Sequence, residues 1–152
     1  MSVETNISVL LVDDHSVVRE GYHRLLERTA GLSVVGEAAN AAEAYDAYRR
    51  LQPHVVVMDI SLPDVSGIEA LRHILARDAG AKVLMFSMHE EPIFATRAFA
   101  AGALGYITKA SAPEVLVDAV RAVARGMRYI SADMAQSLAL QSVGGGQARL
   151  DT

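Results

Sequence analysis

Apolar positions along the chain alternate between short continuous runs and stripes of helical period. Ile7-Ser-Val-Leu-Leu-Val12 is a short run rich in β-branched residues and reads as a strand buried on both faces. Val17, Val18, Gly21, Tyr22, Leu25 and Leu26 then recur at helical spacing, the stripe of an amphipathic helix that Gly31 stops. The pair of patterns repeats. Leu32 to Ala38 predicts a second strand, and Asn40 with Glu43 three residues on predicts a capped helix reaching Leu51, before the breaker Pro53. Val55-Val-Val-Met58 lies within a third strand, His54 to Asp59. Ser66 with Glu69 has capping-box spacing, and Ile68, Leu71 and Leu75 form the inward stripe of the helix it opens. Val83-Leu-Met-Phe86 centres a fourth strand, Lys82 to Ser87, and Pro92 opens a fourth helix to about Ala101. Leu104 to Thr108 gives a fifth strand. Ser111 with Glu114 caps a fifth helix carrying Val115, Leu116, Ala119, Val120 and Val123.

Five βα units in a row predict an α/β fold: a five-stranded, doubly wound parallel sheet with helices on both faces and right-handed crossovers. Five strands are too few for a closed eight-stranded barrel. After the fifth unit, Ser131 with Met134 and Leu138 predicts a short helix to about Gln141, and Gly144 to Thr152 has linker composition.

Composition then removes whole classes of function. The length of 152 residues fits one domain, and an apolar fraction of 51% can fill its core. With no cysteine, disulfides, thiol catalysis and thiolate zinc sites are excluded. A net charge of −4 and the lack of a polybasic run argue against nucleic-acid binding by this stretch alone. No apolar run approaches membrane-spanning length and no leader-like segment precedes the first strand, so a soluble cytoplasmic domain with no membrane partner is expected.

Ligands of doubly wound sheets sit at the carboxyl ends of the strands. Strand one ends in Asp13-Asp14, strand three in Asp59 and strand four in Ser87, and Lys109 follows strand five. Three carboxylates, a hydroxyl and an ammonium should therefore meet at one edge. Packed carboxylates repel, and hard oxygen donors suit Mg²⁺ (or Mn²⁺). An ammonium and a hydroxyl suit phosphoryl oxygens. The chemistry expected is phosphoryl transfer to a carboxylate. Lys109 is one of only two lysines, beside Lys82, among 14 basic residues, which weighs against an incidental surface position. Plainer readings exist: Asp13-Asp14 as helix-capping groups, Ser87 as a strand-end turn residue, Tyr106 as packing.

Three runs carry a family resemblance: Val9-Leu-Leu-Val-Asp13-Asp14-His15, Met58-Asp59-Ile-Ser-Leu-Pro63-Asp-Val-Ser-Gly67, and Gly102-Ala-Leu-Gly-Tyr106-Ile-Thr-Lys109. Together, in this order, they resemble the receiver domain of bacterial two-component response regulators. The extension Arg125-Gly-Met-Arg-Tyr129-Ile-Ser131 resembles the NarL/FixJ (LuxR-type) subfamily. The resemblance covers roughly residues 5 to 131. It implies a flavodoxin-like sheet of strand order 2-1-3-4-5. It also implies a receiver over residues 1–131, with 132–152 a short helix and linker toward a DNA-binding domain absent from this chain.

The resemblance further implies a role for each matching position. Asp59 would be the phosphoacceptor, and Asp13 and Asp14 the acidic pair that holds Mg²⁺ with Asp59 and the backbone carbonyl of Ser61. Ser87 and Tyr106 would be the switch pair, Lys109 the partner of the phosphoryl group, and Ser61 and His89 the residues that tune dephosphorylation. A histidine kinase would be the phosphoryl donor, a homodimer would form on phosphorylation, and DNA would be reached only through the missing domain. No turnover enzyme is implied beyond self-phosphorylation and slow dephosphorylation. The chain departs from many receivers at Ala110, where they carry Pro, often after a cis bond. Two alternatives stay open: a stand-alone receiver acting by protein contact, and an aspartyl-phosphate hydrolase of the haloacid-dehalogenase kind. The latter would place its nucleophile in an Asp-x-Asp run on the first strand, where this chain has Asp13-Asp14-His15.

Overall fold

The computed structural model describes residues 6–150. Six strands and six helices alternate: β1 (Ile7–Val12), α1 (Ser16–Glu27), β2 (Leu32–Ala38), α2 (Ala41–Leu51), β3 (Val55–Met58), α3 (Gly67–Arg77), β4 (Val83–Ser87), α4 (Pro92–Ala100), β5 (Gly105–Thr108), α5 (Pro113–Ala124), β6 (Tyr129–Ile130) and α6 (Ala132–Leu150). All strand pairs are parallel, in the order β2-β1-β3-β4-β5-β6. The doubly wound sheet is therefore as expected, with one correction: it has six strands rather than five. Gly126, at φ 80°, turns the chain back after α5, and Tyr129 and Ile130 pair with Gly105 and Tyr106. Two paired residues are too few to leave a period in the sequence.

Side chains of β1 alternate between two cores. Leu10 and Val12 join Val56, Met58 and Met85 under α2, α3 and α4, while Val9 and Leu11 join Val55, Val57 and Leu84 under α1 and α5. Burial on both faces is why these strands read as continuous apolar runs.

Helix starts follow local chemistry only in part. Asn40 Oδ1 accepts from the Glu43 N–H, and Glu43 in turn takes the Ala39 N–H. The first free N–H groups of α2, those of Ala41 and Ala42, go to the carboxylate of Asp64, which lies in the β3–α3 loop and gave no sequence signal. Ser66 caps α3 through the Ile68 N–H, but Glu69 turns outward to Arg72. Ser111 is not the cap of α5; Ala112 is, because Pro113 occupies the first turn and holds the residue before it extended. The glycine-rich stretch expected as a linker is helical to Leu150, since glycine weakens a helix by about 1 kcal/mol per residue without forbidding it. Residues 151 and 152, the end of that predicted linker, lie outside the described residues.

Candidate functional site

The strand ends meet because the ladders run one step past the strands. Asp13 N–H bonds the Ala38 carbonyl, Asp59 N–H bonds the Val12 carbonyl, and Lys109 N–H bonds the Ser87 carbonyl. Asp13 and Asp59 thus stand side by side, with Lys109 beside Ser87. Asp13 and Asp59 are each only 3% exposed. The Lys109 side chain, 5% exposed, reaches both: its Nζ lies 2.5 Å from Asp13 Oδ2 and 2.8 Å from Asp59 Oδ2. Its ammonium also sits 5.8 Å from the Phe86 ring centre, and the Tyr22 ring packs edge-on to that ring at 4.6 Å between centroids.

Asp14 is more open, with a side chain 32% exposed. The His15 imidazole lies between the acidic pair, Nδ1 at 3.3 Å from Asp13 Oδ1 and 3.1 Å from Asp14 Oδ1. One ligand atom each from Asp13, Asp14, His15 and Asp59 falls within 4.8 Å of the others. An all-oxygen donor set was expected from the sequence, so the imidazole is an addition. The donor set fits a hard divalent cation, because the carboxylates carry more negative charge than Lys109 offsets.

The expected switch residues converge on one residue, His89. Ser87 is fully buried, and its Oγ accepts from the His89 N–H at 3.0 Å. Tyr106 is fully buried, and its hydroxyl donates to the His89 carbonyl at 2.7 Å. The two side chains thus hold the N–H and the carbonyl of one residue in the β4–α4 turn. Ser61 N–H bonds Asp59 Oδ1 at 3.1 Å, and Ser61 Oγ lies 3.1 Å from His89 Nε2, whose ring stacks on Phe94. Ser61 and His89, distant in sequence, therefore form one pair across the mouth of the site. Every peptide bond among the described residues is trans, that of Lys109-Ala110 included.

Charge and burial act on two of these groups in measurable ways. Burial pushes the Tyr106 hydroxyl up to about 12, with Ser87 opposing and the charges of Glu91 and Asp59 adding. Burial would lower Lys109, but the carboxylates of Asp13 and Asp59 outweigh it and hold the ammonium above its ordinary value. Both shifts raise the folded-state value. The stability they contribute is therefore intact below about pH 10; the tyrosine's share is lost as the pH climbs toward 12, and the lysine's as the pH rises through its own raised value. At about 1.4 kcal/mol per unit, the tyrosine's share approaches roughly 2–3 kcal/mol. Tyr48, hydrogen-bonded to Asp78, is raised as well, so the reading is a difference between variants. Melting temperatures followed from pH 9 to 12 should fall less steeply for Tyr106→Phe than for the wild type, and equal slopes would contradict the assignment.

Two residues at the site escaped the sequence reading. Gly67 opens α3 directly against the end of β3: its N–H bonds the Ile60 carbonyl at 2.7 Å, and a Cβ there would lie 2.1 Å from the Asp59 carbonyl oxygen. A glycine at a helix start was the available signal. Arg19 reaches back from α1 to the Asp13 carbonyl, and nothing in the helical period marks it. A cleft of about 790 Å³ between α2 and α3, lined by Tyr45, Tyr48, Arg49 and His73, shares no residue with the carboxylate cluster.

An open parallel sheet with acidic residues, a lysine and a hydroxyl gathered at its carboxyl edge defines a class of phosphoryl-accepting signalling domains. The model for the response regulator receiver domain matches residues 9–121, and the chain belongs to that family. The response regulator UvrY of Escherichia coli K12 is 43% identical over 137 residues, 90% of this chain and 63% of UvrY. GacA of Pseudomonas aeruginosa PAO1 is 45% identical over 136 residues, 90% of this chain and 64% of GacA. The chain thus spans just under two thirds of these relatives. A LuxR-family two-component response regulator from Aurantimonas sp. SI85-9A1 superposes with a TM-score of 0.89 at 51% identity, covering 91% of this chain and 99% of that one.

Proposed function

We propose that this chain is the phosphoacceptor switch of a two-component pathway, phosphorylated on Asp59 by a partner histidine kinase in a Mg²⁺-dependent reaction. The observation that carries the reading is the buried lysine bridging Asp13 and Asp59 within a cluster of three carboxylates. The carboxylates of Asp13, Asp14 and Asp59, with the Ser61 backbone carbonyl, would hold the cation. When bound it supplies positive charge to the phosphoryl oxygens during transfer.

The chain's own groups do the rest. An Asp59 carboxylate oxygen attacks phosphorus; the new O–P bond forms as the N–P bond of the kinase phosphohistidine breaks, and the released imidazole takes up a proton. Lys109, already 2.8 Å from Asp59 Oδ2, then pairs with a phosphoryl oxygen. The Ser87 hydroxyl donates to another. Moving it there takes Oγ from the His89 N–H, and Tyr106 holds the same residue by its carbonyl. The turn before α4 therefore responds to the phosphoryl group, which is how a local bond biases a two-state surface. The Ser61–His89 pair borders the phosphoacceptor, with the Ser61 N–H on Asp59 Oδ1, which supports a role in tuning dephosphorylation.

On this reading the chain turns over no external substrate; it catalyses its own phosphorylation and slow dephosphorylation. The receiver occupies residues 1–131, and α6 leads toward a DNA-binding domain of the kind the LuxR-family likeness supports. Output is transcription control through a homodimer formed on phosphorylation. The site of action is the cytoplasm; no helix among the described residues is long and apolar enough to cross a membrane.

The test is intact mass after incubation with acetyl phosphate. One phosphoryl group should add in Mg²⁺ and none after chelation. Continuous release of phosphate with no mass gain would mark a hydrolase instead and overturn the proposal.

A further inference from the structure

Asp14 is the least supported member of the acidic cluster. Asp13 is fixed by Lys109 on one carboxylate oxygen and by the His15 N–H on the other. Among the described residues, the Asp14 carboxylate has only the His15 imidazole, itself 61% exposed. Its direction therefore depends on the backbone that carries it. That backbone lies just beyond the last β1–β2 pair, Val12 with Ala38, and the final ladder hydrogen bond there is the one from the Asp13 N–H to the Ala38 carbonyl. The Asp13 carbonyl accepts from Arg19 Nη1. The guanidinium is in turn held by Glu37 of β2, Nε to Oε1 at 2.6 Å, and the other Glu37 oxygen lies 2.5 Å from His23 Nδ1. Burial would raise the Glu37 carboxyl, but the hydrogen bonds from Arg19 and His23 outweigh it and keep the group charged.

We propose that Arg19, clamped by Glu37, is a positioning residue for the cation site: by fixing the Asp13–Asp14 peptide plane it aims the Asp14 carboxylate. This rests on the cation-binding reading above. The fork of the guanidinium matters, since Nε and Nη1 must serve Glu37 and the carbonyl at once; an ammonium is a single point of charge and meets both less well. The side chain of Arg19 is 17% exposed, so its bonds are only partly open to competing water.

The test is calorimetric titration of the full 152-residue chain with Mg²⁺ alone, paired with amide hydrogen exchange at Asp14 and His15 in metal-free protein. Arg19→Ala should weaken Mg²⁺ binding about ten-fold, the lower end of what losing a ligand-orienting group costs, and should speed exchange at both amides. Arg19→Lys should fall between. Arg24→Ala, which removes a surface pair with Glu20 on the same helix, should change neither. Glu37→Ala added to Arg19→Ala should cost no further Mg²⁺ affinity, because Glu37 acts through Arg19.

A lower melting temperature with Mg²⁺ affinity unchanged would mean a merely structural bond and overturn the proposal. So would an additive Glu37 effect. Should Arg19→Ala fail to fold, Arg19→Lys and Glu37→Gln carry the same comparison. If the wild-type chain binds no Mg²⁺, the cation-site reading falls and this one with it; if the wild type binds and Arg19→Ala binds equally well, only this one falls.

Discussion

Asp59→Asn will take up no phosphoryl group from acetyl phosphate at any Mg²⁺ concentration, while keeping the wild-type fold. The amide retains the shape of the carboxylate but lacks its nucleophilic charge. Asp59 is 3% exposed at the end of β3, and its Oδ2 is the oxygen that Lys109 contacts. An amide oxygen can still accept that hydrogen bond, and Lys109 keeps Asp13 as its ionic partner. Far-ultraviolet dichroism should therefore be unchanged, so that loss of label reports chemistry. Labelling equal to wild type would show that another side chain is the acceptor. Asp13 is the next to test, since it is the other carboxylate under the same ammonium.

Gly67→Ala should be among the most destabilising single-methyl substitutions in the chain. The added Cβ would meet the Asp59 carbonyl oxygen at 2.1 Å and the Ile60 Cα at 2.8 Å, both backbone atoms that cannot rotate aside. Overpacking typically costs about 1–3 kcal/mol, and a purely backbone clash belongs at or above the top of that range. The displaced peptide carries Asp59, so the labelling rate should fall along with stability. Gly36→Ala is the control. Its nearest atom, at 2.5 Å, is the end of the Leu51 side chain, which can yield. Urea unfolding should rank Gly67→Ala well below Gly36→Ala, and equal midpoints would show that α3 retreats freely from β3.

The site was legible to an unequal degree. Asp13, Asp14, Asp59, Ser87 and Lys109 could be placed on one edge because each follows an apolar run, and a parallel sheet sends every strand end the same way. Ser61 and His89 could be named only by family likeness. That they touch follows from how two loops fold toward each other. Asp64 illustrates a different limit. Its carboxylate caps α2 from a loop 23 residues away, and a local capping rule looks only at the residue before the helix. At Ser111 the local rule failed because a stronger one, the extended residue that proline demands, moved the cap by one position.

What the chain's sequence determined by itself is whatever depends on neighbouring residues: the short continuous apolar runs and the period of 3.6, the five longer strands, and the acidic, hydroxyl and amino groups stationed at their ends. Tertiary structure alone decided the sixth strand, the lysine shared between Asp13 and Asp59, the one residue, His89, gripped by Ser87 and Tyr106, and the reach of Arg19 to the Asp13 carbonyl. The physical reason is common to all four. Periodicity sets which face a side chain leaves from, whereas its partner is set by the course of the loops and by register between strands far apart in the chain, and neither is written in local spacing.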